Sequence, residues 1–134
     1  MIQESLTFKT KARSFINITR DIDALVKNVD VGLCHIFLKH TSASIILCEN
    51  ADPDVLTDLE NYMQRTVQDD HPEFLHTAEG FDDMSAHIRS VLTSTSLTIP
   101  VTNSRLNLGT WQGIFLWEHR AHEFQRRVVI TIAD

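Results

Sequence analysis

Four short stretches of the sequence hold residue types that can do chemistry. In His40-Thr41-Ser42-Ala43-Ser44, one imidazole and three hydroxyls fall within five residues, between two apolar runs. Hydroxyls and backbone N–H groups of a strand-connecting turn bind anions, and an imidazole serves as base or metal ligand. Ser42 and Ser44 are also nucleophile candidates, although no G-x-S-x-G elbow surrounds them. The segment His76 to His87 is the densest, with two histidines and the carboxylates of Glu79, Asp82 and Asp83 within twelve residues. Asp83 and His87 stand at i, i+4 and share a face if Asp83 is helical; as an N-cap, Asp83 would turn to the backbone instead. Clustered oxygens suit Mg²⁺ and imidazoles suit Zn²⁺ or another transition ion, so His76, Asp83 and His87 are candidate ligands. The spacing is neither that of a zinc finger nor H-E-x-x-H. In the third stretch, Asn103 to Gln112, Arg105 stands alone in a neutral loop and its planar fork matches phosphate oxygens. Trp111 there is core or a stacking platform. The fourth is Glu118-His119-Arg120, where a strand reaches the rim and Glu118 is placed to act as acid, base or ligand.

The elements that must position these residues follow from periodicity. Alternation over Leu6 to Lys11 and Phe15 to Thr19 predicts two strands joined by a short turn. Ile22, Leu25, Val26 and Val29 then follow the helical period, with Thr19 as candidate N-cap. Val31 to Lys39 and Ala43 to Glu49 read as strands. Asp52-Pro53 starts a helix, because Pro is tolerated at the first helical position and Asp accepts from free N–H groups. Its stripe of Val55, Leu56, Leu59, Tyr62, Met63 and Val67 carries it to about Gln68. A further helix begins after Asp82 and Asp83, with Met84, Ile88, Val91 and Leu92 as the stripe expected to be buried. Strands over Leu97 to Val101, Gln112 to Glu118 and Arg126 to Ala133 close the chain. The order β2-α-β2-α2-β3 is too irregular for a doubly wound sheet. It predicts one α+β domain over residues 1–134, with helices packed on a mainly antiparallel sheet.

Composition narrows the function. With 134 residues the chain is too short for a (β/α)₈ barrel, and 43% hydrophobic residues with 22% charged is a globular balance. The net charge of −6 is unevenly spread: between Glu49 and Asp83 eleven acidic residues face only Arg65. Nucleic acid is therefore an unexpected partner, since phosphate backbones are bound by clustered cations. Within that segment Asp58, Glu60, Asp69 and Asp70 are expected on a solvated face. No apolar run approaches a membrane span, so no membrane partner is expected. The first 20 residues lack the apolar core of a secretory signal, and Cys34 and Cys48 lie in strand-like runs as buried thiols. A cytoplasmic protein is the expectation.

Taken together, the motifs resemble the YjbQ family of small proteins, often named secondary thiamine-phosphate synthase. The likeness runs through His40-Thr41-Ser42-Ala43, Asn50-Ala51-Asp52-Pro53-Asp54-Val55, Glu79-Gly80-Phe81-Asp82-Asp83-Met84-Ser85-Ala86-His87-Ile88, Leu108-Gly109-Thr110-Trp111-Gln112-Gly113 and Glu118-His119-Arg120. Ser104 stands where the family commonly has Gly. The resemblance implies an α+β homotrimer. It also implies a transferase that joins a hydroxymethylpyrimidine diphosphate to a thiazole phosphate with release of pyrophosphate. On that expectation Glu79, Asp82 and Asp83 hold Mg²⁺, while Ser42, Arg105 and Thr110 bind phosphate or diphosphate. Trp111 or Phe81 faces the pyrimidine, and His40, His87 and Glu118 are acid/base or metal candidates. Two other classes use the same cluster: a metal or small-ligand binding protein without catalysis, and a metal-assisted hydrolase.

Overall fold

In the computed structural model, which describes all 134 residues, the alternating runs become eight strands and the helical runs three helices. The strands are β1 (Ile2–Lys9), β2 (Phe15–Asn17), β3 (Val31–Leu38), β4 (Ala43–Glu49), β5 (Ser96–Thr102), β6 (Arg105–Leu106), β7 (Gln112–Glu118) and β8 (Gln125–Ala133). The helices are α1 (Thr19–Asp23), α2 (Pro53–Thr66) and α3 (Asp83–Leu92). The predicted α+β class and order hold, with β6 added.

The strands form two antiparallel sheets, one ordered β1-β8-β3-β5-β6 and the other β2-β7-β4. The expected pairing of the first two strands is corrected: β1 pairs β8 and β2 pairs β7, so the turn between them crosses from one sheet to the other. The β3–β4 connection crosses in the same way, which puts His40, Thr41 and Ser42 at the seam between the sheets. Residues from both inner faces, among them Cys34, Ile36, Ile45, Leu116 and Ile130, interdigitate with Ile18, Ile22 and Val26 as one core. After α1 the chain tightens into a 3-10 turn over Ala24–Val26. Thr19 is not the cap; its hydroxyl donates to Asn17 Oδ1 at 2.6 Å and accepts from the Ile114 N–H at 2.9 Å.

Helix α2 starts as Asp52-Pro53 predicts, with the Asp52 carboxylate accepting from the Asp54 N–H at 2.9 Å. Its buried residue, however, is Glu60, against the expectation of a solvated face. Helix α3 corrects the predicted stripe: it buries Asp83, Ser85, Ala86, Arg89 and Ser90, and turns Val91 and Leu92 outward, 85% and 61% exposed. The reason is an ion pair across the helix layer. Arg89, fully buried, donates through Nη1 to Glu60 Oε1 and Oε2 at 2.9 and 3.0 Å, and the Trp117 indole donates to Glu60 Oε1 at 3.0 Å. A buried guanidinium and carboxylate must meet, and that requirement outranks the apolar stripe. Asp69 also leaves the solvated face, pairing with Arg13 at 2.7 Å and accepting from the Ser85 hydroxyl. No helix is long and apolar enough to cross a membrane.

Candidate metal centre

Three of the predicted ligands meet. His76 Nε2 lies 2.6 Å and His87 Nε2 3.0 Å from Asp83 Oδ2, and the three donor atoms fall within 4.8 Å of one another. Asp83 is the first residue of α3, so His87 comes to it one helical turn later. His76 arrives from the long loop before α3. That loop is tied down by the Arg13–Asp69 pair and by the Asp70 N–H bond to the Phe81 carbonyl at 3.1 Å. Gly80, at φ +110°, makes the turn into the helix, where a side chain would be strained.

Two contacts aim the donors. The His87 Nδ1–H donates to the Thr41 carbonyl at 2.9 Å, which turns Nε2 toward Asp83. A neutral imidazole has one N–H, so His87 satisfies both neighbours only as an imidazolium or with a cation between Nε2 and the carboxylate. Arg120 holds the other oxygen, with Nη1 2.9 Å from Asp83 Oδ1, and leaves Oδ2 to the histidines. Ligand atoms bound tetrahedrally at ~2.0–2.1 Å stand roughly 3.3 Å apart, so to take a Zn²⁺-sized ion the histidine nitrogens, now 2.6 and 3.0 Å from Asp83 Oδ2, must draw back by about 0.7 and 0.3 Å while all three donors stay within the 4.8 Å that now spans them. Two nitrogens and one oxygen suit a transition ion better than Mg²⁺, which prefers oxygen.

The other predicted residues lie elsewhere. Asp82, fully buried, accepts from Arg120 Nε at 3.0 Å and Nη2 at 3.3 Å and from the Ala121 N–H at 2.7 Å. Burial opposes its ionisation, but the Arg120 fork and the Ala121 N–H outweigh it and hold the carboxyl down at about 2. Glu79 is exposed, and it is its carbonyl that accepts from Arg120 Nη2 at 2.8 Å. The carboxylate trio of Glu79, Asp82 and Asp83 is therefore not assembled as a site. Glu118 is sealed: it accepts from Thr10 Oγ1 at 2.6 Å, Arg126 Nε at 2.8 Å and the Arg120 N–H at 3.0 Å.

His40 does not reach the triad. Its Nε2 accepts from the Arg127 N–H at 2.8 Å, and burial, with Arg126 the nearest cation, lowers its pKa. It shares with His87 a cavity of about 470 Å³ also lined by Thr41, Ser90, Thr93 and Thr95. Ser42 is buried, and its carbonyl accepts from Arg126 Nη2 at 3.2 Å. Ser44 meets His119 Nε2 at 2.7 Å, but both are fully buried and His119 Nδ1 has no partner. Burial and the nearby Arg89 push His119 down to about 3. No acid orients this pair, so it is not equipped as a hydrolase dyad.

Arg105 and Thr110 sit at the opposite end of the molecule. Arg105 pairs with Thr102, which pairs with Val31, whereas the triad lies beyond Leu38. The length of β3 between those levels is about 23 Å. Trp111 is 64% exposed beside them. Residue types and spacing gave no role to Arg120, which clamps both Asp82 and Asp83; its place next to Glu118-His119 and the acidic excess upstream were the only signals.

Fold and donors define a small two-sheet α+β protein with a two-histidine, one-carboxylate set at a helix start. Residues 4–134 match the family described as UPF0047 protein YjbQ-like, and the chain belongs to that family. It is 51% identical over 133 residues to a UPF0047 protein of Synechocystis, covering 98% of this chain and 90% of that one. To the UPF0047 protein YjbQ of Escherichia coli O157:H7 it is 45% identical, covering 97% and 96%. A crystal structure from Thermus thermophilus is similar with a TM-score of 0.88 at 32% identity, covering 97% of this chain and 99% of its own. One from Clostridium acetobutylicum gives 0.85 at 34%, covering 99% and 100%.

Proposed function

We propose that this chain is a metal-dependent hydrolase of small phosphate esters, with a transition ion such as Zn²⁺ held by His76, Asp83 and His87. The observation that carries the reading is the convergence of the three donor atoms, two of them, on His87 and Asp83, aimed by a further contact within the chain. Three protein ligands leave a fourth position for water, the arrangement of a catalytic rather than a structural site. An ion bound there supplies Lewis acidity and a nucleophilic hydroxide near neutral pH. Thr41 fixes the His87 tautomer, and Arg120 keeps Asp83 monodentate. The cavity beside His87 is of a size for a small metabolite. Thr41 and Thr95 line it, and Arg127 and Lys39 add positive charge at His40, where Arg126 is countered by its partner Glu118. An anionic substrate suits such a wall.

The thiamine-phosphate synthase reading is second. It needs Arg105 and Thr110 near the metal, and one chain keeps them at the other end. Outward Val91 and Leu92 on α3, and Val31, Leu33 and Phe37 on the outer face of β3, support a homotrimer in which a neighbouring copy brings them closer. Free Cys34 and Cys48 fit a reducing cytoplasm. The test is turnover of an aryl phosphate ester by metal-stripped protein reloaded with Zn²⁺, alongside condensation of the pyrimidine diphosphate with the thiazole phosphate. Zn²⁺-dependent ester hydrolysis that disappears in His87→Ala supports the first reading. Pyrophosphate release from the paired substrates, without ester hydrolysis, overturns it in favour of the second. Sedimentation should show three chains; a monomer overturns the assembly.

A further inference from the structure

The seam between the sheets carries a pair of groups that the metal centre does not use. Arg126, near the start of β8, is 4% exposed, and all but one of its guanidinium nitrogens are committed. Nε donates to Glu118 Oε1 at 2.8 Å, and Nη2 donates to Glu118 Oε2 and to the Ser42 carbonyl. The Phe124 ring lies 4.7 Å from the guanidinium carbon and covers its face. Nη1 has no such acceptor; its neighbour is His40 Nδ1 at 3.4 Å.

That neighbour is a donor too. His40 Nε2 accepts from the Arg127 N–H at 2.8 Å, so the single proton of the neutral ring sits on Nδ1. Burial, followed by Arg126, disfavours the imidazolium. Two N–H groups therefore meet across 3.4 Å, and such a contact calls for an acceptor set before both. One oxygen about 2.9 Å from each nitrogen satisfies them at ordinary hydrogen-bond length.

A cavity adjoins the pair. His40 and His87 line the same space of about 470 Å³, and His87 is tied to the Thr41 carbonyl, the residue next to His40 in the chain. Val91 is the one apolar residue among its walls, so a polar small molecule suits it. Charge then selects among anions. Glu118 already neutralises Arg126, which leaves two donors with little net charge of their own and only Arg127 and Lys39 to add to it. A singly charged carboxylate fits that balance. A phosphate dianion would bring two charges close to Glu118 and find two donors for its several oxygens.

We propose that His40 Nδ1 and Arg126 Nη1 together hold one carboxylate oxygen of the small molecule that this cavity takes. That this molecule is the metal centre's substrate rests on the hydrolase reading; the carboxylate site does not. The test is nuclear magnetic resonance of the full-length protein in EDTA at about pH 7.5, where an ordinary histidine is neutral. Spectra are taken in buffer alone and then with sodium acetate, acetamide or inorganic phosphate. His40 should carry its proton on Nδ1, and acetate should shift that proton and the Arg127 amide to a saturable limit. Arg126→Lys keeps a cation for Glu118 but removes Nη1, and should weaken acetate about tenfold or more, the scale of one charge-assisted bond. Should that variant fail to fold, His40→Phe serves in its place and should abolish the saturable shift at Arg127. A His40 proton on Nε2, no saturable acetate shift, or tighter binding of phosphate or acetamide than of acetate overturns the proposal. Acetate binding that stays intact in a protein found not to bind Zn²⁺ supports the carboxylate site and overturns the hydrolase reading alone.

Discussion

Two polar clusters meet α3, and they differ in what is left over. On its inner side, Arg89, Glu60 and Trp117 close on one another, with Glu118, Arg126 and Thr10 forming a similar knot nearby. There the carboxylates are saturated by donors of the protein and are nearly or wholly buried. At the start of the same helix, Asp83 gives one oxygen to Arg120 and turns the other to two histidines that are 42% and 30% exposed. The first cluster has no carboxylate oxygen left for a cation; what it leaves unpaired, Arg89 Nε and Nη2, are buried donors. The second has three ligand atoms within 4.8 Å of one another and a way in. Density of ionisable residues therefore does not separate a candidate cation site from a scaffold; unspent acceptor atoms do.

Changes that break this contrast fall in order of size. Arg89→Ala strands the Glu60 carboxylate in the helix layer and should cost about 3–5 kcal/mol in urea unfolding, as removal of one partner of a buried pair does. The double change Arg89→Met with Glu60→Met should recover most of it, and no recovery would mean that Arg89 acts through something other than Glu60. Arg120→Lys keeps a charge but loses the fork that spans Asp82 and Asp83. It should lower Zn²⁺ affinity roughly 10–100-fold, with one ion per chain retained, as loss of a contact that orients a ligand does. Unchanged affinity would remove Arg120 from the centre.

Acid should expose the sealed groups in sequence. Both His119 and Asp82 have folded pKa values below their ordinary ones, so each contributes stability at higher pH that is lost on acidification. For His119 the loss runs from pH 6.5 down to about 3, and for Asp82 from about 3.8 down to about 2. His119→Gln should flatten the upper part of the stability-against-pH curve and leave the lower part. His40, also held below its ordinary value, keeps part of that slope, so it is a slope as steep in the variant as in the wild type that contradicts the assignment. The smallest change lies outside both clusters. Ser104, at φ 60°, should gain about 0.5–1 kcal/mol on replacement by Gly, which takes that backbone without strain. Neither Zn²⁺ affinity nor the acid limb should move with it.

Much of the scaffold was legible because it is local. The bounds of β4 and β7 agree with the β-rich runs that predict them, and Asp52 caps α2 as its neighbour Pro53 implies. The Asp83–His87 half of the triad was legible too, being one helical turn. What sequence could not show depends on partners distant along the chain. Glu60 reads as a surface acid until Arg89 is found 29 residues on, and that pair reverses the buried face of α3. The β5–β6 hairpin was hidden because Asn-Ser is a weaker turn signal than Asn-Gly. The Thr41 carbonyl that orients His87 comes from a crossing between sheets, 46 residues before it.

The central claim is that His76, Asp83 and His87 form one divalent-metal centre. Calorimetric titration of metal-stripped protein with Zn²⁺, beside Asp83→Asn and His87→Ala, tests it most directly. One ion per chain in the wild type, weakened about 100-fold or more in both variants whose unfolding midpoints stay near wild type, is the predicted result. Absence of stoichiometric binding, or equal affinity in all three proteins, would contradict it.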